Sequence, residues 1–146
     1  MLLVLPVEVA QRMAKVLVVE DDPIVAMDIQ RVLQQAGHDT VGTAGSAERA
    51  LSLAERHRPD VVFVDLQLAG GTDGVEVAVL LAERYDCGII VATGSSGAVV
   101  DNTRVHDLAE AVLQKPFSEQ QILEAMTRCL DELEEPARQD EAARPG

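Results

Sequence analysis

From Lys15 onward, short β-branched runs alternate with amphipathic segments, and no other feature constrains the fold of this chain as tightly. An uninterrupted apolar run suits a strand covered on both faces, and segments of helical period between the runs supply the covers. The repeat therefore predicts βαβ units built on a parallel sheet. Five strands are expected, over Val16 to Val19, Thr40 to Ala44, Val61 to Val64, Ile89 to Ala92 and Ala111 to Leu113. A chain of 146 residues, 47% of them apolar, suits one domain of ordinary size.

The helices can be placed from their caps. Asp22 as N-cap and Pro23 in the first position open the first, whose apolar face is expected at Val25, Ile29, Val32, Leu33 and Ala36 before Gly37 ends it. The second is expected from Ser46 to about His57, stopped by Pro59; Gly74 introduces a third over Val75 to Tyr85. A fourth falls within Gly97 to Asp107, where glycines and β-branched residues make a poor helix. In the fifth, Ser118 and Gln121 form a capping box ahead of a stripe of Ile122, Ala125, Met126, Cys129, Leu130 and Leu133. The expected organisation is a poorly ordered extension over residues 1–13, a domain over 14–134, and a disordered tail over 135–146 with no apolar period.

Several function classes are disfavoured. A formal charge of −13 opposes direct binding to nucleic acid or anionic lipid. The apolar Met1 to Leu5 run is broken by Pro6 and Glu8 and is far shorter than the about 20 residues of a membrane span, so neither an anchor nor a signal peptide is expected. Cys87 and Cys129 match no zinc or redox spacing, which points to structural thiols in a reducing compartment. His38, His57 and His106 have no carboxylate or thiol at ligand spacing and read as structural histidines. Gly70-Gly71 lacks the lysine and hydroxyl of a phosphate-cradling loop and reads as a turn.

In an open α/β sheet, ligands bind outside the carboxyl ends of the strands, where the strand order reverses. The first predicted strand ends in Glu20-Asp21-Asp22, the third in Asp65, the fourth in Thr93 and the fifth in Lys115-Pro116. An acidic triplet alone is a common decoration of a helix N-terminus, and Asp65, Thr93 and Lys115 are each unremarkable singly. Brought together, Glu20, Asp21 and Asp65 would repel one another unless a counter-charge joined them. Hard oxygens without His or Cys suit Mg2+ and do not suit zinc. Such a metal would also neutralise an incoming phosphoryl group, with Lys115 and Thr93 as further donors to its oxygens.

The segments Val18-Val19-Glu20-Asp21-Asp22-Pro23, Val62-Phe63-Val64-Asp65, Val91-Ala92-Thr93-Gly94 and Lys115-Pro116-Phe117 resemble, in order and spacing, the signatures of response-regulator receiver domains. The resemblance covers about Lys15 to Leu133. It implies a flavodoxin-like, doubly wound sheet of order 2-1-3-4-5 with five helices, the α/β class that the periodicity already favours. It implies that Asp65 takes a phosphoryl group from a sensor histidine kinase or phosphotransfer protein, assisted by Thr93 and Lys115. Asp21 and Asp65 would bind Mg2+, Glu20 would act through water, and the backbone carbonyl of Gln67 would complete the protein ligands. A cis Lys115-Pro116 bond is implied too. The expected role is a stand-alone, cytoplasmic phosphoacceptor switch, not a turnover enzyme, signalling to a separate protein through the face of helix 4, strand 5 and helix 5.

Three departures from the family pattern stand out. The loop after Asp65 runs Leu68-Ala69-Gly70-Gly71-Thr72-Asp73-Gly74 in place of a Leu-Pro turn. Val112 occupies a position commonly aromatic, so the signal is expected to leave through ordering of residues 94–107 and not through a rotating ring. The stretch from Tyr85 through Ser95 is similar to alphaproteobacterial single-domain receivers with a Phe-Ala-Thr-Gly motif, with Val91 replacing the Phe. Two other readings stay open: a haloacid-dehalogenase-like phosphatase, disfavoured because Gln67 stands where its second Asp belongs, and a pseudo-receiver that is never phosphorylated.

Overall fold

Strand β3 (Val61–Asp65) lies at the centre of the sheet, and all five of its residues are buried, as the uninterrupted apolar run requires. The computed structural model describes residues 13–68, 73–94 and 103–133. Around β3 stand β1 (Lys15–Val19), β2 (Asp39–Ala44), β4 (Gly88–Thr93) and β5 (Ala111–Gln114), in the order β2-β1-β3-β4-β5. Every pairing is parallel. Helices α1 (Pro23–Gln35), α2 (Ala47–His57), α3 (Gly74–Tyr85), α4 (Thr103–Leu108) and α5 (Glu119–Leu133) alternate with the strands. The flavodoxin-like expectation holds, with each strand extended by a residue or two beyond its apolar run.

Alternation along the strands divides the interior in two. Val16, Val18, Phe63 and Ile90 join Ile29 and Leu33 of α1 and Ile122 and Met126 of α5 on one side. Leu17, Val19, Val62, Val64, Ile89 and Val91 meet Leu53 of α2, Leu81 of α3 and Val105 of α4 on the other. The sheet is thus sealed on both faces, and polar chemistry is left to its ends.

The caps form as read. Asp22 accepts from the Ile24 N–H at 2.9 Å. Ser118 Oγ accepts from the Gln121 N–H at 3.1 Å while Gln121 Oε1 accepts from the Ser118 N–H at 2.8 Å. Two details differ from expectation. The buried face of α1 is Ala26, Ile29, Val32 and Leu33, whereas Ala36 caps the helix and is exposed; Val25 is half-buried. Helix α3 is capped by Asp73, which accepts from the Val75 N–H at 2.9 Å, and Gly74 is already its first residue. His38 is structural, its Nδ1 accepting from the Ala14 N–H at 3.2 Å. Cys129 is buried, and burial pushes the Cys87 thiol up to about 12, which keeps Cys87 protonated at neutral pH.

Gly74 allows the start of α3 to lie against the end of β3. A Cβ there would meet the carbonyl oxygen of Asp65 and come within 2.5 Å of the Leu66 Cα, both backbone atoms that cannot step aside. Gly74→Ala should therefore destabilise the fold by about 1–3 kcal/mol, seen as a lower urea midpoint at unchanged slope. An unchanged midpoint would contradict this packing.

The six-residue α4 is tied to α3 by Arg104 and Glu76 at 2.9 Å. The expectations for residues 1–12, for the tail over 135–146, for the Gly70-Gly71 turn and for the 97–102 part of the fourth helical segment lie outside the described residues. Among the described residues, no helix is long and apolar enough to cross a membrane.

Candidate functional site

Because all five strands run parallel, their carboxyl ends share one edge, and the residues just beyond them meet there. Among the described residues the buried polar or charged ones are Glu20 (4% exposed), Asp65 (3%) and Thr93 (1%), and all three stand at this edge. A sealed core that hides its polar side chains in one place has a local reason to do so. Asp21, more open than Glu20 and Asp65, completes a cluster in which the three each offer a carboxylate oxygen within 4.8 Å of the others.

Lys115 enters this cluster from the end of β5. Its Nζ stands 2.9 Å from Glu20 Oε1 and 3.1 Å from Asp65 Oδ2. The Lys115-Pro116 peptide is cis, and the Lys115 N–H donates to the Thr93 carbonyl at 2.7 Å, which fixes the backbone from which the side chain reaches inward. Burial pulls the ammonium down, but the Glu20 and Asp65 contacts outweigh it and its pKa is raised. For Glu20, burial and then the nearby Asp65 charge push the carboxyl up, and together they outweigh the downward pull of Lys115 and the Asp22 N–H. The sequence suggested a metal as the remedy for carboxylate repulsion; in the protein alone, Lys115 already supplies part of it.

The remaining hydrogen bonds orient the acids. Asp65 Oδ1 accepts from the Gln67 N–H at 2.9 Å, and Glu20 Oε2 accepts from the Asp22 N–H at 3.1 Å. Glu20 Oε1 is buried, and its short contact with Lys115 is not aligned as a hydrogen bond, so this oxygen keeps acceptor capacity. Together with an all-oxygen donor set, that capacity fits a hard divalent cation. The sequence-predicted residues Glu20, Asp21, Asp65, Thr93 and Lys115 thus share one edge of the sheet. Gln67, two residues beyond Asp65, adds something unforeseen: its side-chain Oε1 accepts from the Gly94 N–H at 3.2 Å, joining the loops after β3 and β4. No sequence signal could have shown this, since it depends on how closely two loops approach. Val112, in the position commonly aromatic, is 37% exposed on β5.

A doubly wound parallel sheet with an acidic cluster and a lysine at the ends of β1, β3 and β5 defines a class of α/β domains that act at the topological switch point. The chain belongs to the response regulator receiver domain family, which matches residues 16–127. It is similar to the transcriptional regulatory protein PdtaR of Mycobacterium tuberculosis, 34% identical over 113 residues that cover 77% of this chain and 54% of that protein. The phyllosphere-induced regulator PhyR of Methylorubrum extorquens is 33% identical over 88 residues, covering 59% of this chain and 33% of the relative. The chain thus spans about half or less of the length of these relatives. Among solved structures, the signal receiver domain of a modulated diguanylate cyclase from Desulfovibrio desulfuricans G20 superposes with a TM-score of 0.75 at 29% identity, covering 82% of this chain and 95% of that one. PhyR from Brucella abortus gives 0.76 at 26% identity, covering 93% and 55%.

Proposed function

We propose that this chain is a phosphoacceptor switch in which Asp65 takes a phosphoryl group from a sensor histidine kinase or phosphotransfer protein. The observation that carries this reading is the meeting of a buried Asp65 with Glu20, Asp21 and the Lys115 ammonium at one sheet edge. In the transfer, an Asp65 carboxylate oxygen forms a bond to phosphorus as the bond from phosphorus to the imidazole nitrogen breaks, and the electron pair leaves with the imidazole. Lys115 can move from carboxylate to phosphoryl oxygen, and the Thr93 hydroxyl is a second donor. Asp21 and Asp65 would hold Mg2+, with Glu20 acting through water and the Gln67 carbonyl as a further ligand. Bound there, the ion would offset charge on the transferred group.

A protein donor fits the surroundings. Beside Lys115 and Gly94 lies a groove of about 760 Å³ whose apolar lining includes the exposed Ile24 and Met27 of α1 together with Pro116 and Phe117. A donor helix that carries its phosphohistidine to Asp65 would rest there, since Lys115 lines the groove and also contacts Asp65. The output is assigned to a separate protein at the face of α4, β5 and α5, in the cytoplasm, and the acidic charge disfavours nucleic acid and membrane surfaces as partners. The phosphatase alternative is weakened by Gln67 in place of a second catalytic Asp. A pseudo-receiver would have no need of so complete an acidic and basic set.

Incubation with Mg2+ and acetyl phosphate, followed by intact mass measurement, tests the reading. The chain should gain one phosphoryl mass and turn over no further donor beyond slow hydrolysis. No gain would refute it. Asp21→Ala should weaken Mg2+ binding by at least about tenfold, because it removes a ligand at the open edge of the cluster. Its metal-free stability should stay within about 0.5 kcal/mol of the parent. Titration calorimetry and metal-free melting check the two halves, and a steep loss of metal-free stability would count against a ligand role.

A further inference from the structure

We propose that the Gln67 carboxamide gates the phosphoryl site, its oxygen holding the Gly94 N–H at rest in the place that a phosphoryl oxygen on Asp65 takes after transfer. The proposal rests on the reading of Asp65 as the phosphoacceptor and adds a residue that controls entry to it.

Gln67 touches both sides of the site. Its backbone N–H donates to Asp65 Oδ1 at 2.9 Å, and its side-chain Oε1 accepts from the Gly94 N–H at 3.2 Å. Gly94 follows the buried Thr93 and lines the same groove as Lys115, whose ammonium is 3.1 Å from Asp65 Oδ2. Strand register sets Asp65 beside Ala92, so the Gly94 amide lies two residues further along the same edge. Both residues are exposed, and the carboxamide oxygen stands over the Gly94 backbone: a Cβ on Gly94 would lie 3.2 Å from Gln67 Oε1.

A backbone N–H at the rim of an anion-binding crevice is a natural donor to a charged oxygen. Here it is satisfied by a neutral acceptor. Hydrogen bonds to charged oxygens are roughly twice as strong as neutral ones, so a phosphoryl oxygen would displace the carboxamide and not the reverse. Gln67 is therefore strong enough to occupy the amide at rest and weak enough to leave it. Because the same contact joins the loops after β3 and β4, its exchange also releases one loop from the other when Asp65 is modified.

Two substitutions separate hydrogen bonding from simple cover. Gln67→Ala removes both the acceptor and the bulk, whereas Gln67→Met keeps the length and removes the acceptor. In the full chain without donor, the Gly94 amide should exchange with solvent deuterium on the order of fivefold faster in both variants. With Mg2+ and acetyl phosphate, whose phosphorus–acetate bond breaks as the Asp65 bond forms, both variants should also gain the phosphoryl mass several-fold faster than the parent. Unchanged exchange at Gly94 would overturn the proposal. So would acceleration by Ala but not by Met, which would mean shielding by bulk alone. If no protein, the parent included, gains the mass, the phosphoacceptor reading fails and the gate with it; if all gain it at one rate, only the gate fails.

Discussion

Asp65→Asn should take up no phosphoryl group from acetyl phosphate under conditions that fully modify the parent. The amide oxygen of Asn is a poor nucleophile, its lone pairs being drawn into the amide, and no other described carboxylate combines the same burial with a lysine contact at the end of the central strand. The variant should nonetheless fold. Asn keeps the size of the side chain, and its oxygen can still accept from the Gln67 N–H in the place of Asp65 Oδ1. Its NH2 group would face Lys115, but the ammonium has Glu20 Oε1 at 2.9 Å to turn to, and the substitution removes one of the clustered negative charges. A stability change within about 1 kcal/mol is expected, read from the urea midpoint. Intact mass measurement decides the chemistry, and a full phosphoryl gain by the variant would sink the assignment of Asp65.

What could be read without the structure was local. Apolar runs report burial on two faces, so Val61 to Val64 declared the central strand, and Ser118 with Gln121 declared the start of α5 through a reciprocal cap that needs no distant partner. The acidic pair and Lys115 were legible for a related reason. In a parallel sheet, whatever follows each strand is delivered to the same edge. Illegible were the contacts set by ångström-scale approach between loops. Asp73 caps α3 from within a glycine-rich stretch that reads equally well as a turn. The burial of Ala26 over Ala36 depends on where α1 ends and how it sits on the sheet. The Gln67 side chain on Gly94 depends on the spacing of the loops after β3 and β4. The resting position of Lys115 was missed because the residues named its eventual ligand, a phosphoryl oxygen, more plainly than its partners in the absence of one.

That resting position makes Lys115→Ala the substitution with the largest expected effect on the metal-free protein. Removing the ammonium leaves Glu20 and Asp65 buried, close together and without their shared counter-charge. Loss of one partner from a buried pair costs about 3–5 kcal/mol, and partial exposure of the lysine argues for the lower end, about 3 kcal/mol. For a domain of this size that is a fall of roughly 10 °C in Tm. Two additions should restore stability if charge is the cause. Mg2+ should do so by taking over as counter-ion, raising the variant's Tm more than the parent's. Acid should do so as well. Burial already raises the Glu20 carboxyl above its ordinary value, and without Lys115 it rises further, so the folded state holds this proton more tightly than the unfolded chain does. The variant's deficit should therefore be smallest below the unfolded carboxyl value of 4.5 and grow as pH rises through the raised folded one. Phosphoryl uptake should persist, since Asp65 remains, while transmission to a partner through β5 should be lost. Melting curves across pH, with and without Mg2+, provide the measurement. A deficit equal at all pH values and untouched by metal would mean that Lys115 stabilises the fold by packing alone.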